Sequence, residues 1–206
     1  MKENILCLLM TISAISTMAQ PVAVELMVGR NLYWYQHTLA RKIGNSEKAG
    51  FFHVSSMHAF FGDNRNSEIM SQSYFTYVIM PGVTGTLGTH YSSGPGWAPS
   101  IAIQLYKRSG DFTLMLVPRA DILKRHTFDA MTLIEFTPRL FGELRLYTRM
   151  QAMSNFSENQ HNRSYQNFRI GINVRKVQVG AAINIDEYGS ETKTHHNTGF
   201  FLKTAL

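Results

Sequence analysis

From residue 21 onward, apolar and polar residues alternate with a period of two. Phe168, Ile170, Ile172 and Val174 are interleaved with Arg169, Gly171, Asn173 and Arg175. Val179, Ala181, Ile183 and Ile185 are interleaved with Gly180, Ala182, Asn184 and Asp186, and Leu144, Leu146 and Met150 with Glu143, Arg145, Tyr147 and Arg149. Successive side chains of an extended chain point to opposite faces, so each stretch predicts a strand with one greasy and one polar side. No stretch carries a helical stripe. The pattern predicts twelve strands, over 22–29, 32–43, 50–61, 68–80, 83–91, 97–107, 112–120, 128–137, 141–153, 163–175, 177–188 and 197–206. The first division rests on Gly29, Arg30 and Asn31 alone, and ten strands is the alternative count.

The connections sort by length. Long ones at 62–67, 92–96, 121–127, 154–162 and 189–196 alternate with short ones at 81–82, 109–111, 138–140 and 175–176. Short turns on one rim and longer loops on the other describe a closed antiparallel transmembrane β-barrel. Its apolar faces look outward to lipid and its polar faces inward, because only a closed ladder leaves no backbone group unpaired in hydrocarbon. Aromatic residues near strand ends, such as Tyr33, Tyr35, Phe51, Tyr91, Trp97 and Phe128, suit interfacial girdles. The alternative is a secreted soluble β-sandwich, in which the apolar faces meet each other across a core.

Composition narrows the class. The 206 residues are 44% hydrophobic and only 17% charged, which argues against disorder and coiled coils. The 20 Lys and Arg against 14 Asp and Glu are scattered singly, the longest basic cluster being Lys124, Arg125 and His126, so no nucleic-acid partner is expected. The start of the chain, with Lys2, an apolar run from Ile5 to Ile15 and small residues up to Ala19, predicts a signal peptide over 1–19 and a barrel domain over 20–206. The single cysteine, Cys7, leaves with that leader, so neither disulfides nor thiol chemistry is expected.

Taken with the stretches Met70 to Ser73, His161 to Gln166 and the closing Gly199, Phe200, Phe201, Leu202, the chain resembles the small outer-membrane β-barrel proteins of Gram-negative bacteria, and most of all those of the Bacteroidota. The resemblance implies residence in the outer membrane, contact with outer-membrane lipid and insertion by the barrel-assembly machinery. Such barrels close on a terminal aromatic residue. Here the alternation Phe200, Leu202, Leu206 ends on leucine.

Barrels of about eight strands are filled by side chains and those of sixteen to eighteen enclose water; twelve falls between. The polar faces place Arg119, Arg145, Arg149, Arg169, Asn173, Arg175 and Lys203 in the lumen, with Asp121, Glu135, Glu143 and Asp186 as partners. Two readings follow: salt bridges that plug a narrow barrel, or an arginine-lined passage or pocket for a small anionic solute. A three-residue turn at 138–140 sets Glu135 opposite Glu143, and a two-residue turn at 175–176 sets Gly171 opposite Gly180, leaving a dent for a ligand or a bulky neighbour. An enzymatic alternative uses His53 and Ser55, two residues apart on one strand face, as base and nucleophile of a lipid acyl hydrolase, with Asn64, Asn66 or Glu68 orienting the histidine. Outer-membrane phospholipases and lipid A deacylases resemble the chain at that spacing. His195 and His196 fall in an expected loop, and no metal or cofactor is expected.

Overall fold

The computed structural model describes residues 22–62, 67–123, 127–157 and 160–206. The expected leader, Asn64, Asn66 and the Lys124 to His126 cluster lie outside the described residues.

The chain forms β1 (Ala23–Gly29), β2 (Leu32–Lys42), β3 (Ala49–Phe60), β4 (Glu68–Met80), β5 (Val83–Ser92), β6 (Gly96–Ser109), β7 (Phe112–Asp121), β8 (Thr127–Phe136), β9 (Arg139–Phe141), β10 (Leu144–Ser157), β11 (Gln160–Val174), β12 (Val177–Tyr188) and β13 (Lys193–Ala205). The three-residue β9 only borders the start of β10, so the wall has twelve staves. Each stave pairs antiparallel with its chain neighbours, and β13 returns to β1 in register from Ala23↔Ala205 to Gly29↔Gly199. Val22 and Leu206 close the seam with two reciprocal backbone hydrogen bonds of 3.0 Å. One closed sheet has no free edge. It also has no second sheet to pack on, which rules out the sandwich.

The uncertain first division is a real corner. Asn31 N–H donates to Asn197 Oδ1 at 3.0 Å, and Arg30 N–H to the Thr198 carbonyl at 3.0 Å, so β13 holds the turn between β1 and β2. The near rim carries the start of β1, the end of β13 and the short turns, among them Pro81-Gly82, where Gly82 at φ 81° supplies the left-handed second position of the turn. At the far rim two expected loops are shorter than the sequence pattern indicates. β10 and β11 run to Ser157 and from Gln160, and β13 begins at Lys193 rather than residue 197. These segments are polar on both faces and read as loop. The ladder nevertheless continues through them above the depth that a strand of about 9–11 residues spans.

The alternation places apolar side chains outside. Leu26, Ile170, Ile172, Val179, Phe200 and Leu202 are all at least two-fifths exposed on the outer wall. The inward row at one level reads Tyr147, Gly171, Gly180, Phe201, Met27, Trp34 across β10 to β2. The Gly171↔Gly180 pair leaves the expected dent, and neighbours fill it. Tyr147 and Phe201 stand three staves apart, yet their ring centroids are 5.7 Å from each other, so both lie over the glycines. A Cβ on Gly180 would run into the Ile170 carbonyl and come to 2.5 Å from the Gly171 Cα. Gly180→Val is therefore expected to cost about 1–3 kcal/mol by overpacking, read as a lower urea midpoint of the folded, fast-migrating band on unboiled gels.

Candidate functional site: a charge-bridged lumen

The barrel interior divides into a filled side and an open side. On the filled side, Met27, Leu32, Trp34, Tyr147, Ala182 and Phe201 pack into a small core. Within it lies Glu25, placed inward because Val24, Leu26 and Val28 take the outer face of β1. Arg149 donates from Nη2 to Glu25 Oε1 at 2.8 Å, and its Nη1 lies 2.6 Å from Oε2. Arg169 Nε donates to the same Oε1 at 2.7 Å, and its Nη1 donates to Asn184 Oδ1 at 2.8 Å. The Arg169 guanidinium also sits 5.1 Å from the Trp34 ring centroid and 5.8 Å from that of Phe201. One carboxylate thus serves two arginines, and all three side chains are almost fully buried.

On the open side, a cavity of about 920 Å³ runs along the inner faces of β3 to β8 and β10. Its lining starts at Ser93 to Trp97 by the far rim and reaches Ala23, Thr38, Glu135 and Lys203 toward the near rim. Val54, Met115, Val117, Met131 and Leu133 make its middle uncharged. Charge gathers at the ends. Toward the near rim, Lys203 Nζ lies 3.5 Å from Glu135 Oε1 and donates to the Tyr147 hydroxyl at 3.1 Å, while that hydroxyl donates to Glu135 at 3.0 Å. Toward the far rim, Arg119 donates from Nε to Asp129 Oδ2 at 2.8 Å and from Nη1 to Asp121 Oδ1 at 3.0 Å. Asn155 Nδ2 donates to Asp129 at 3.3 Å, and Thr127 donates to Asp121.

A second far-rim group crosses the lumen. Arg163 of β11 donates from Nη1 to Glu68 Oε2 of β4 at 2.9 Å and from Nη2 to Asp186 Oδ1 at 2.6 Å. The Tyr188 hydroxyl donates to the same Glu68 oxygen at 3.0 Å. Counted either way round the wall, β4 and β11 are six staves apart, so this bridge joins opposite sides. Glu68 and Arg163 line both the large cavity and a smaller pocket under His58 and Asp186. The bridge is a partition across the mouth.

The structure sorts the residues expected to face the lumen into three groups. Arg119, Asp121, Glu135, Arg149 and Lys203 line the cavity. Arg169 and Asp186 point inward but are enclosed by their partners, and Asn173 accepts from Gln178 Nε2 at 3.2 Å on the inner wall. The others belong to the near rim: Arg145 bonds Asp111, and Arg175 pairs with Glu143 at 2.8 Å with both side chains more than two-thirds exposed. Arg175 sits in the turn itself at φ 57°, which takes it off the strand face. Glu135 does not oppose Glu143. The connection runs through β9 and the turn at Gly142, shifting the ladder so that Glu135 faces Arg149.

The His53, Ser55 and Glu68 constellation is not assembled. His53 and Ser55 lie on the outer face, whereas Glu68 points into the lumen. His53 Nδ1 is 2.8 Å from Ser73 Oγ, and Ser55 donates to the Met70 carbonyl at 3.1 Å. His195 and His196 are in β13 rather than a loop, opposite Asp186 and Ile185, and so on opposite faces. Among the described residues, no group of three or more His, Cys, Asp or Glu converges as metal ligands would.

Sequence reasoning passed over Glu25, Arg163 and Asp129. Glu25 had a signal, being the lone charge in an apolar strand. Arg163 had one too, since unbroken alternation from Arg169 through Asn167 and Tyr165 turns it inward, but it stands at the end of the expected strand beside a loop.

No family model and no curated protein matches the chain by sequence. Among solved structures it is similar to the KdgM porin, with a TM-score of 0.52 at 7% identity over 91% of this chain and 99% of that one. It is also similar to the NanC porin, with a TM-score of 0.51 at 9% identity over 91% of this chain and 100% of that one. At these identities the likeness is one of architecture: the chain is a closed twelve-stranded antiparallel β-barrel, as those two structures are.

Proposed function

We propose that the chain is an outer-membrane barrel, exported by its leader and inserted by the barrel-assembly machinery, whose lumen admits a small hydrophilic solute. The observation that carries this reading is the cavity, whose lining continues from Ser93 to Trp97 at one rim to Ala23 and Thr38 near the other. Support comes from the greasy outer wall, which only lipid or a detergent covers at low cost, and from the architecture shared with two porins. One structure of the KdgM porin is a complex with disordered oligogalacturonate. An anionic solute of comparable slenderness is the ligand class the arginines favour here, held by guanidiniums that exchange one carboxylate partner for another.

Preference for anions is expected to be weak. Arg119, Arg149, Arg163 and Lys203 face the cavity together with Glu25, Glu68, Asp121, Asp129 and Glu135, so no cation is left without a carboxylate. In planar bilayers under a potassium chloride gradient, the wild-type protein is expected to give discrete conductance steps with a reversal potential close to zero. Bilayers that stay silent with the wild type and with Arg163→Ala alike would leave a plugged structural barrel and end the proposal.

A further inference from the structure

One region of the outer wall gathers polar side chains that elsewhere on it stand singly among apolar ones, as Thr132, Thr148 and Thr198 do. On β2 to β5 the outward positions at mid-height are His37, His53, Ser55, Ser71, Ser73 and Thr89. Their inward neighbours, Val54, Gln72 and His90, line the cavity, so the face is not in doubt. Ladder registers align them in two adjacent rows, His37–Ser55–Ser71 and His53–Ser73–Thr89. The His37 and His53 rings are 5.2 Å apart, His53 Nδ1 meets Ser73 Oγ at 2.8 Å, and His37 Nδ1 is buried with no hydrogen-bond partner. Elsewhere on the outer wall the corresponding positions are held by side chains such as Ile103, Leu116, Ile134, Phe168, Ile170 and Leu202.

The depth of this patch matters. Along β3 and β4 apolar outward side chains continue past it on both sides, Met57 and Ile69 toward the far rim and Phe51, Phe75, Tyr77 and Ile79 toward the near rim, while Tyr91 and Trp97 extend the Ser71 row sideways onto β5 and β6. Aromatic belts mark the two interfaces of a spanning barrel, and a patch with greasy wall above and below it lies between them, so these hydroxyls and imidazoles sit in the hydrocarbon. Acyl chains offer no hydrogen bonds there, and headgroups sit beyond the belts. His53 with Ser73, and Ser55 with the Met70 carbonyl, are satisfied within the wall, and a cover that brings polar groups to the same depth serves the His37 ring and the Ser71 and Thr89 hydroxyls as well.

We propose that the outer face of β2 to β5 is the contact between two copies of this chain in the membrane. Copies inserted by one route share one orientation, and a closed pair then has its two-fold axis along the membrane normal, which sets equal depths face to face. Histidine and serine each donate and accept, so the two rows are complementary to themselves. The His37 imidazole of one copy reaches the serine row of the other, and Phe75, Leu87 and Met57 flank the polar centre with apolar contact. The contact uses the outer wall only and is independent of what passes through the lumen.

The test uses the full chain in a Cys7→Ser background, where an introduced thiol is the only one. Purified protein is reconstituted in phosphatidylethanolamine–phosphatidylglycerol vesicles, and single-cysteine variants at Ser71 and at Ile170 are oxidised with copper phenanthroline. Ser71→Cys is expected to give predominantly a cross-linked dimer, at least tenfold more than Ile170→Cys on the far side of the barrel. Mass photometry of nanodiscs without cysteine should show a dimer that the variant His37→Leu/His53→Leu/Ser71→Leu converts to monomer. That variant should keep its heat-modifiable gel mobility, since leucine suits a wall in oil. A monomeric wild type, equal cross-linking at both positions, or a leucine variant that is folded and still dimeric would each overturn the proposal, whether the patch then belongs to a lipid or to another protein.

Discussion

Glu25→Ala is expected to lower the unfolding free energy by about 3–5 kcal/mol, the range seen when one partner of a buried ion pair is removed. The side chains of Arg149 and Arg169 are 2% and 0% exposed, and Glu25 is the carboxylate they share. Without it, two guanidiniums confront each other inside the barrel, Arg169 left with Asn184, the Phe168 and Ile183 carbonyls and two aromatic rings, and Arg149 with Glu135 on the neighbouring stave. Desolvating a charge without a counter-charge is far more costly than never burying the pair. Removing one arginine is less damaging, because Glu25 keeps the other. Arg149→Met is therefore expected to shift the urea midpoint of the compact gel band by clearly less than Glu25→Ala does. Equal shifts for the two variants would show that the triad is not organised around the carboxylate.

The second large effect concerns passage. Arg163 holds Glu68 on the opposite wall while also bonding Asp186, and its guanidinium lies 4.9 Å from the Tyr188 ring centroid. Arg163→Ala removes the long side chain that crosses the mouth and leaves two carboxylates without their cation. Single-channel conductance is expected to rise by about twofold or more, since the bridge crosses the lumen and separates the large cavity from the smaller pocket beside it. The reversal potential should move toward cation preference, because the five carboxylates of the lining then face three cations instead of four. The double variant Arg163→Ala/Glu68→Ala should keep the gain in conductance and lose part of the selectivity shift. No change in conductance in either variant would mean that the bridge does not limit flow.

Much of the wall was legible in the sequence because a transmembrane barrel writes its two environments onto alternate residues. Runs such as 168–175 and 177–186 show which residues meet lipid without any knowledge of their neighbours. The corner at Arg30 and Asn31 was legible for a local reason, since Gly29 and Asn31 cannot continue a greasy strand. What failed depended on distant parts of the chain. The Glu135 register turned on how β9 folds back. The Arg163–Glu68 bridge exists only because closure brings the fourth and the tenth stave to face each other. At Phe51 and Phe52 both faces are apolar, so periodicity could not say that His53 and Ser55 look outward, and their spacing invited a catalytic reading that the fold does not assemble. The interior is uneven in a way no single strand records: the triad around Glu25 fills one side, and a cavity remains on the other.

The arrangement of the two faces is tested most directly by thiol accessibility in vesicles. In the Cys7→Ser background, single cysteines at Thr86, Gln104 and Met131 should react with a charged, membrane-impermeant thiosulfonate, because these positions line the cavity. Cysteines at Ile172 and Leu202 should react only with a lipid-soluble maleimide, because their side chains are 41% and 50% exposed on the outer wall. The reverse pattern, with Ile172 and Leu202 open to the charged reagent and the cavity positions protected, would contradict a barrel that turns its greasy side to the membrane.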